Sequence, residues 1–419
     1  MEGGAALAAF RLHQGLLGSG VRSRMLVQNK YGKDPSVTGP VTRVGRLVAL
    51  MKYLVDSLPV KCSRRGSRGA TFSPAIFPDR LARRTAAMAP DLIHLHWIAG
   101  GFMRLETLSQ LKRPVVWTLH DMWPFTGGCH YSGACSRYAG SCGCCPELGS
   151  SVENDLSRRI WQRKDRAWRG VPLTIVAPSR WMAQCAKASS VFSEADIRII
   201  PNGIDTTLFR PGDRSSARQA LGLPQDRRLI LFGAMSPTGD PRKGFSRLLP
   251  AIRELAGSGW GDCAELLIYG ADDAQPKPDF GLKARYLGRV SAQEEMALLN
   301  AAADVVVAPS LQDNLPNTVM EALACGTPVV AFGIGGMVDM IDHCKTGWLA
   351  DPFSHEDLAR GIVYVTEDAG RREEMGRAAR EKVMRNYALE IVARSHLELY
   401  AQLLQCSIAS AKTATGGKS

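Results

Sequence analysis

Short strands and longer helices alternate along both halves of this 419-residue sequence, which predicts an α/β fold of two Rossmann-like domains facing each other across a cleft. The length agrees, because a chain of this size is too long for one ordinary core. The stretch NGIDTTLFRPGD (202–213) has the Gly, Pro and Asp content of a linker. We therefore expect an N-terminal domain at 1–205, a C-terminal domain at 206–386, a helix returning to the N-terminal domain at 387–405 and a disordered tail at 406–419.

The first half is divided by two periodicities, short apolar runs for strands and 3.6-residue spacing for helices. The predicted helices cover 4–18, 41–58, 101–111 and 152–168, and another begins at Arg180. The predicted strands cover 23–28, 91–97, 114–120, 173–179 and 197–202.

A doubly wound domain begins with a central strand that leads into a glycine turn. In this sequence EGG (2–4) is the glycine turn, and Met1 alone precedes it. The first strand of the N-terminal domain therefore looks missing, and we expect a native chain with about 8–12 further apolar residues upstream.

The second half repeats the alternation. Its predicted strands cover 228–235, 264–270, 284–288, 303–309 and 328–332, and helical sequence runs over 357–405. Between the last two strands, Asn314 is suited to cap a helix, Pro316 to its first turn and Gly326 to its end. This β-α-β unit places Asp313 at the carboxyl edge of a parallel sheet, where such sheets bind ligands.

Glu321 lies about one turn into the same helix. Its carboxylate could accept hydrogen bonds from a neutral polyol such as a ribose. The alternative is an ordinary capped helix with a solvated Glu, and this stretch alone does not decide between them.

Composition narrows the function classes. With 45% hydrophobic and 22% charged residues the chain is globular, and no run approaches the 18 apolar residues of a membrane span. The N-terminus shows no basic segment followed by an apolar core, so we expect no signal peptide. Eleven cysteines without such a signal predict reduced thiols in the cytoplasm.

The positive charge is concentrated near the N-terminus. Residues 1–90 hold fifteen Lys and Arg against four Asp and Glu. Within this region the helix at 41–58 has apolar residues at 41, 44, 47, 48, 51, 54, 55 and 58, flanked by Arg43, Arg46 and Lys52. Such a helix either packs on its own domain or lies on an anionic membrane surface. The basic segment 61–69 lacks the interleaved aromatics of a nucleic-acid site, so no nucleic acid is expected.

Five motifs occur in one order along the chain: IPNGID (200–205), GDPRKGFSRLL (239–249), GRV (288–290), the stretch 313–321 with its TPVVAF strand, and GGMVDMIDHCKTGWLADP (335–352). Together they resemble the family 4 (group 1) retaining glycosyltransferases of the GT-B fold, within the subgroup that builds bacterial surface polysaccharides and exopolysaccharides. The resemblance extends from about residue 2 to residue 405.

The resemblance implies transfer of a hexosyl group from a nucleotide-diphosphate sugar to a glycan or lipid-linked acceptor, with retention and without a catalytic metal or other cofactor. It gives Arg242 and Lys243 to the diphosphate, where negative charge grows as the donor breaks. It gives Asp313 to the donor sugar and Glu321 to the ribose. The backbones of Asn317 and Thr318 match phosphate-binding positions, and Val290 matches the position that contacts the base.

In the first domain, His120 of TLHD matches a family histidine near the donor sugar, although a strand-end histidine bonded to backbone is the simpler alternative. Gly3 and Gly4 match the turn where the acceptor meets the reacting carbon. Two departures stand out: Asp313 replaces the usual Glu, and FGAMSPTGD (232–240) lacks an Arg that many relatives carry.

A cysteine-rich loop covers residues 120–148. Cys129, Cys135, Cys142 and Cys145 are separated by five, six and two residues, a spacing compatible with a structural zinc site. Cys144 and His130 are further candidate ligands, and reduced thiols that simply fill a compact loop are the alternative.

The sequence is also compatible with two other functions. A catalytically impaired family member could act as a binding or scaffold protein, and turnover of a nucleotide sugar would exclude it. The segment GIGGM (333–337) suggests a nicotinamide oxidoreductase, but it lacks the full G-x-G-x-x-G pattern. The expected location is the cytoplasm, with peripheral attachment to the inner face of the cell membrane as an open alternative.

Overall fold

The computed structural model describes residues 3–63, 71–233, 239–270 and 278–416, with side chains described as far as residue 406. Its contacts divide the chain into two compact units. Unit 1 comprises Met1–Ile200 and Ala393–Ser419, and unit 2 comprises Pro201–Val392. No helix within the described ranges combines the length and the apolar character needed to cross a membrane.

Unit 1 is built from short parallel strands and the helices between them. In chain order its elements are α1 (Gly4–Gly18), β1 (Met25–Leu26), β2 (Val37–Thr38), α2 (Arg43–Ser63), α3 (Leu81–Met88), β3 (Ile93–Leu95), β4 (Val115–Thr118), α4 (Leu156–Trp168), β5 (Leu173–Ala177), α5 (Arg180–Ala188) and β6 (Asp196–Ile199). Strands β3 to β6 form a four-stranded parallel sheet in sequence order, and β1 and β2 form a separate parallel pair.

Unit 2 holds one continuous parallel sheet. Its elements are α6 (Arg214–Ala220), β7 (Arg228–Gly233), α7 (Phe245–Leu255), β8 (Ala264–Tyr269), β9 (Lys283–Gly288), α8 (Gln293–Ala302), β10 (Val305–Ala308), α9 (Asn317–Ala324), β11 (Val329–Phe332), α10 (Met337–Met340), β12 (Gly347–Ala350), α11 (His355–Glu367) and α12 (Ala369–Asn386). The six strands lie in the order β12-β11-β10-β7-β8-β9, and apolar clusters cover both faces. This doubly wound order places β7 and β10 side by side at the centre.

The α/β class and the parallel sheets confirm the predicted fold class. Three details differ from the prediction. Residues Leu105–Gln110 form a 3₁₀ helix rather than the α-helix expected at 101–111. The last helix, α13 (Leu389–Gly416), continues through most of the segment expected to be a disordered tail. Elements β2, α3, α6, α10 and β12 were not predicted, because each is short or has a weak apolar period.

Candidate active site

Two loops at the carboxyl edge of the unit 2 sheet are joined by direct contacts. Lys243, after β7, lies with Nζ 2.8 Å from Asp313 Oδ2, after β10. The Leu311 N–H donates to the Arg242 carbonyl at 2.7 Å. Gly244 has φ +72°, and a Cβ there would overlap the Pro309 carbonyl, so the close approach of the loops requires glycine. The structure thus brings Arg242, Lys243 and Asp313 together, as the sequence predicted.

Asp313 is a buried carboxylate held in its ionised form. Burial, the largest single influence, would raise its pKa, but the charges of Lys243 and Arg242 hold the pKa of Asp313 below its ordinary value. The Asn314 N–H donates to Asp313 Oδ1 at 3.0 Å and acts in the same direction. Ser310 Oγ donates to Oδ2 at 3.3 Å. An anion so held can accept hydrogen bonds from hydroxyl groups at neutral pH.

Arg242 is the second cation of this edge. Its guanidinium forms an ion pair with the Asp240 carboxylate at 2.6 Å, and the backbone N–H of Arg242 donates to the same carboxylate at 3.0 Å. Its side chain remains about one quarter exposed. The segment FGAMSPTGD (232–240) lacks the arginine that many relatives carry, and its residues 234–238 lie outside the described residues.

Helix α9 begins beside this cluster. Asn317 and Thr318 are its first two residues, and Pro316 occupies the N-cap position. The expectation that Asn314 is the N-cap residue was wrong, because the helix starts three residues later, at Asn317, with Pro316 at that position. The first turn of an α-helix directs N–H groups outward with no acceptor in the helix, which favours anions there. Gly326, with φ +71°, follows the helix end as predicted.

Glu321 is buried in α9, at 5% exposure, so the alternative of a solvated glutamate is wrong. Its charge reaches two neighbouring groups. Burial, aided by the Glu321 carboxylate, raises the pKa of Cys325 to about 12 and raises that of Tyr269 as well. Glu321 therefore belongs to the low-dielectric wall of the site. Val290, after β9, packs half-buried against the unit 2 core.

The glycines of GIGGM (333–337) contact the backbone of Asp313, which the sequence did not predict. The Gly336 N–H donates to the Asp313 carbonyl at 3.1 Å. Gly335 has φ +53°, and a Cβ there would overlap the same carbonyl. These glycines fix the backbone of Asp313, which explains a glycine pair at this position without any nucleotide fingerprint.

In unit 1, Gly3 and Gly4 form the start of α1 as predicted. Gly3 adopts φ +93°, a conformation that favours glycine, and its carbonyl accepts the Leu7 N–H at 3.1 Å. Among the described residues, no atom lies within 4 Å of the place that a Cβ at Gly3 would take.

His120, just after β4, is hydrogen-bonded to another histidine of unit 1. Its Nε2 shares a hydrogen bond of 2.9 Å with His96 Nδ1, and the two rings stack 5.2 Å apart. Burial lowers the pKa of His120 to about 4, although the Asp121 carboxylate opposes this effect. His120 is therefore neutral at physiological pH.

The histidine cluster extends beyond what the sequence suggested. The His94 ring lies 4.3 Å from that of His96 and bonds Thr118 Oγ1 at 2.8 Å and the Tyr400 hydroxyl of α13 at 2.6 Å. His396 of the same helix lies 5.4 Å from His94, ring to ring. The signal available in the sequence was the i, i+2 spacing of His94, in β3, and His96, directly after it, because such spacing puts two side chains on one face of an extended chain.

The four cysteines of the predicted zinc site, Cys129, Cys135, Cys142 and Cys145, line one cavity in unit 1. The Gly127 N–H donates to Cys142 Sγ at 3.1 Å, and burial raises the pKa of Cys142 to about 11. In the described part of the chain, no three or more His, Cys, Asp or Glu side chains are arranged to hold a metal ion. The zinc site thus stays a prediction.

The two further ligand candidates are engaged elsewhere. His130 shares hydrogen bonds with Asp121 Oδ2 at 2.6 Å and Ser73 Oγ at 2.9 Å. Cys144 Sγ donates to Glu153 at 3.3 Å.

Beside the cysteine-rich loop, Lys164 is fully buried with Nζ 3.9 Å from the Trp123 ring centroid, and burial lowers the pKa of Lys164 to about 7.

Two family models match the chain. "Glycosyltransferase Family 4" matches residues 2–208, and "Glycosyl transferases group 1" matches residues 213–382. Together they span nearly all of both units.

Among curated proteins, the chain is similar to D-inositol 3-phosphate glycosyltransferases. That of Arthrobacter sp. (strain FB24) is 26% identical over 407 residues, covering 90% of this chain and 85% of the relative. That of Nocardioides sp. (strain ATCC BAA-499 / JS614) is 31% identical over 224 residues, covering 49% of this chain and 48% of the relative. The matched segment thus spans about half the length of that relative, and the same holds for the one from Kribbella flavida.

Solved structures share the fold at low identity. Sucrose-phosphate synthase from Thermosynechococcus elongatus gives a TM-score of 0.67 at 20% identity, over 96% of this chain and 94% of that one. HepE from Anabaena in complex with UDP and glucose gives 0.60 at 18%, over 95% and 96%. WaaG, a glycosyltransferase involved in lipopolysaccharide biosynthesis, gives 0.58 at 17%, over 96% of each chain.

Proposed function

Because the chain belongs to the group 1, family 4 glycosyltransferases of the GT-B fold, we propose that it transfers a hexosyl group from a nucleotide-diphosphate sugar to a glycan or lipid-linked acceptor. The observation that carries this proposal is the contact between Lys243 and the buried Asp313 beside the start of α9. Cation, anion and helix N-terminus then lie at the carboxyl edge of one sheet, where a donor of both phosphate and sugar hydroxyls can bind.

In this proposal the donor is held mainly by unit 2. Lys243, Arg242 and the N–H groups of Asn317 and Thr318 bind the diphosphate. Asp313 accepts from hydroxyls of the sugar, and Glu321 accepts from the ribose. Asp313 is one methylene shorter than the usual family Glu, and its backbone is fixed by Gly336, so it meets the sugar from a fixed position. HepE was solved with UDP and glucose, and we propose UDP as the nucleotide here too.

The charge distribution supports departure of the diphosphate without a protein nucleophile. Negative charge grows on the leaving oxygens in the transition state, and fixed cations in a partly buried site stabilise that charge. We assign this role to Lys243 and Arg242. The family resemblance then implies retention by front-face attack of the acceptor hydroxyl, with no metal needed for this step. It gives His120, as a neutral imidazole, a place near the sugar, and Gly3 and Gly4 a place near the acceptor.

The proposal extends to the acceptor and to the cellular location. We place the enzyme in bacterial surface polysaccharide or exopolysaccharide synthesis, acting in the cytoplasm at the inner face of the cell membrane. Support comes from the family resemblance and from WaaG, whose title names lipopolysaccharide biosynthesis. The names of the curated relatives specify D-inositol 3-phosphate, so a phosphorylated polyol is the acceptor to test against a lipid-linked glycan.

We also propose a structural zinc ion in the cysteine cavity. Support comes from the four thiols that line it and from Lys164, a buried ammonium without a carboxylate at ion-pair distance among the described residues. Four zinc-bound thiolates carry a net charge of −2, which would complement that ammonium. Elemental analysis of chelator-free protein should give about one zinc per chain. A Cys142→Ser variant should lose it and a Cys344→Ser variant should keep it, whereas a metal-free wild type would remove the idea.

The transferase proposal is tested by binding and turnover. Thermal shift with UDP, GDP and their sugars should show stabilisation by one nucleotide, and the matching sugar nucleotide should then release that nucleotide when acceptor is added. Binding without any turnover, across lipid-linked glycan and inositol phosphate acceptors, would instead support the catalytically impaired scaffold protein.

A further inference from the structure

Helix α2 is attached to unit 1 through its less apolar face. Asp56 is buried there, and its carboxylate accepts the N–H groups of Ile76 at 2.7 Å, Phe77 at 3.2 Å and Ala75 at 3.3 Å. Two turns earlier on the same face, the Ala49 carbonyl accepts a hydrogen bond from the Gln28 side-chain amide at 3.3 Å. A carboxylate that accepts three backbone N–H groups fixes the rotation of the helix about its axis.

The opposite face of α2 carries the apolar side chains, and they are exposed. Seven of the eight positions that the periodicity singled out lie between 40% and 72% exposed: Val41, Val44, Leu47, Val48, Met51, Leu54 and Leu58. Leu50 and Tyr53 add to the same exposed set. A soluble monomer rarely exposes so many contiguous large apolar residues, and such a patch marks an interaction surface.

The exposed charged side chains of α2 are all positive. Arg43, Arg46 and Lys61 are exposed on α2, and the single acidic residue of the helix is the buried Asp56. A solvent-open groove of about 510 Å³ runs along the helix and is lined by Lys52, Arg80 and Arg84 among others. The Asp79 carboxylate at this groove is already bonded to the N–H groups of Leu81 and Arg104 at 2.7 Å. The partner of the patch should therefore be apolar and anionic.

We propose that the outer face of α2 lies on a membrane that contains anionic phospholipids. The apolar side chains enter the boundary between headgroups and acyl chains, and the arginines and lysines meet lipid phosphates. With 21 residues, α2 is about 30 Å long and lies parallel to the membrane plane. This surface deepens the proposed membrane location and rests on it, since it would keep unit 1 beside a lipid-linked acceptor.

The test uses the full chain and sucrose-loaded vesicles of phosphatidylcholine alone or with 30% phosphatidylglycerol. Wild type should sediment with the anionic vesicles at least about tenfold better than with the neutral ones, and high salt should weaken the binding. The triple variant Leu47→Ser, Met51→Ser, Leu54→Ser should lose about 100-fold in affinity. A matched control, Val152→Ser, Ile199→Ser, Met384→Ser, removes exposed apolar side chains outside α2 and should bind like wild type.

Arg43→Glu combined with Arg46→Glu should weaken binding to anionic vesicles and leave the weak binding to neutral ones unchanged. Equal binding by wild type and the α2 triple variant would overturn the proposal. So would a wild type that binds no vesicle but sediments as a dimer which the triple variant loses, because α2 would then be an interface between copies. UDP binding, measured by calorimetry, should be the same in every variant, so failure of the transferase proposal shows independently of vesicle binding.

Discussion

Helices α2 and α7 both carry apolar residues at helical spacing, but the apolar side chains of α7 face the core and those of α2 face the solvent. In α7 the residues Leu248, Ile252 and Leu255 are buried in the core of unit 2. In α2 the corresponding stripe faces outward, and the buried face holds Asp56. The difference shows that an apolar stripe predicts an amphipathic helix but does not predict which face packs. The face that packs is the one whose groups find partners, and Asp56 finds three backbone donors.

The loops ahead of the two helices differ as well. The loop before α7 holds Arg242 and Lys243, and it is tied to the next loop of the sheet edge. The segment before α2 ends in exposed residues such as Val41. We therefore expect catalysis to depend on the loop before α7 and attachment to a surface to depend on α2.

The largest effect is expected at the α7 end. Lys243→Ala should lower turnover at saturating donor by about 10²–10³-fold, because the lost cation faces charge that grows as the diphosphate leaves. Steady-state kinetics measures this. The control Lys345→Ala removes an exposed lysine of the same unit and should stay within about twofold of wild type. Equal turnover in the two variants would contradict the role of Lys243.

A direct test of the helix comparison is truncation of one apolar side chain on each helix. Ile252→Ala should lower the free energy of unfolding by about 2–4 kcal/mol, because it leaves a cavity in a closed core. Leu47→Ala should change it by less than about 0.5 kcal/mol, because Leu47 is exposed. Urea unfolding followed by circular dichroism measures both. Comparable losses would mean that the outer face of α2 is covered in solution.

The stability of the two units should also respond differently to low pH. Burial lowers the pKa of His120 to about 4 and places the pKa values of His94 and His96 well below the ordinary value of 6.5. Because their folded-state pKa values lie below the unfolded ones, their contribution to stability is complete above about pH 6.5 and is lost as pH falls toward 4. The described histidines of unit 2, His343 and His355, are exposed or half-buried.

For His120 alone, with its pKa lowered to about 4, we expect unit 1 to lose about 2–3 kcal/mol of stability between pH 7 and pH 4.5, and His94 and His96 should add to this loss. Tryptophan fluorescence during urea unfolding reports mainly on unit 1, which holds six of the eight tryptophans. His96→Asn should make this pH dependence shallower, because it removes one of the three buried histidines, and His343→Asn should leave it unchanged. A loss of the same size in the His96→Asn protein would assign the acid sensitivity to other groups.

The smallest effect is expected at Glu321. Glu321→Gln keeps the shape of the side chain but removes its charge, and it should weaken UDP binding about tenfold with little further effect on turnover at saturation. Isothermal calorimetry gives the affinity. The control Glu367→Gln, at an exposed position of α11, should bind as wild type does. A larger loss of turnover than for Lys243→Ala would reverse the proposed roles.

The sequence by itself determined the elements that depend on neighbours along the chain. The β-α-β unit around Asp313 and Glu321 followed from a valine run, a helix period and Gly326, and all three are present. The start of α1 at Gly4 and of α5 at Arg180 also followed. Local propensity fixes such features because the groups that satisfy each other lie within a few residues.

The tertiary structure alone decided which distant groups meet. His94 bonds Tyr400, 306 residues later, and Lys243 bonds Asp313, 70 residues later. The outward rotation of α2 was likewise undecidable from its period, because the deciding contact joins Asp56 to backbone N–H groups at 75–77 that carry no side-chain signature. Buried polar groups must find partners wherever the fold puts them, and that requirement outweighed the apolar stripe in setting the face on which α2 packs.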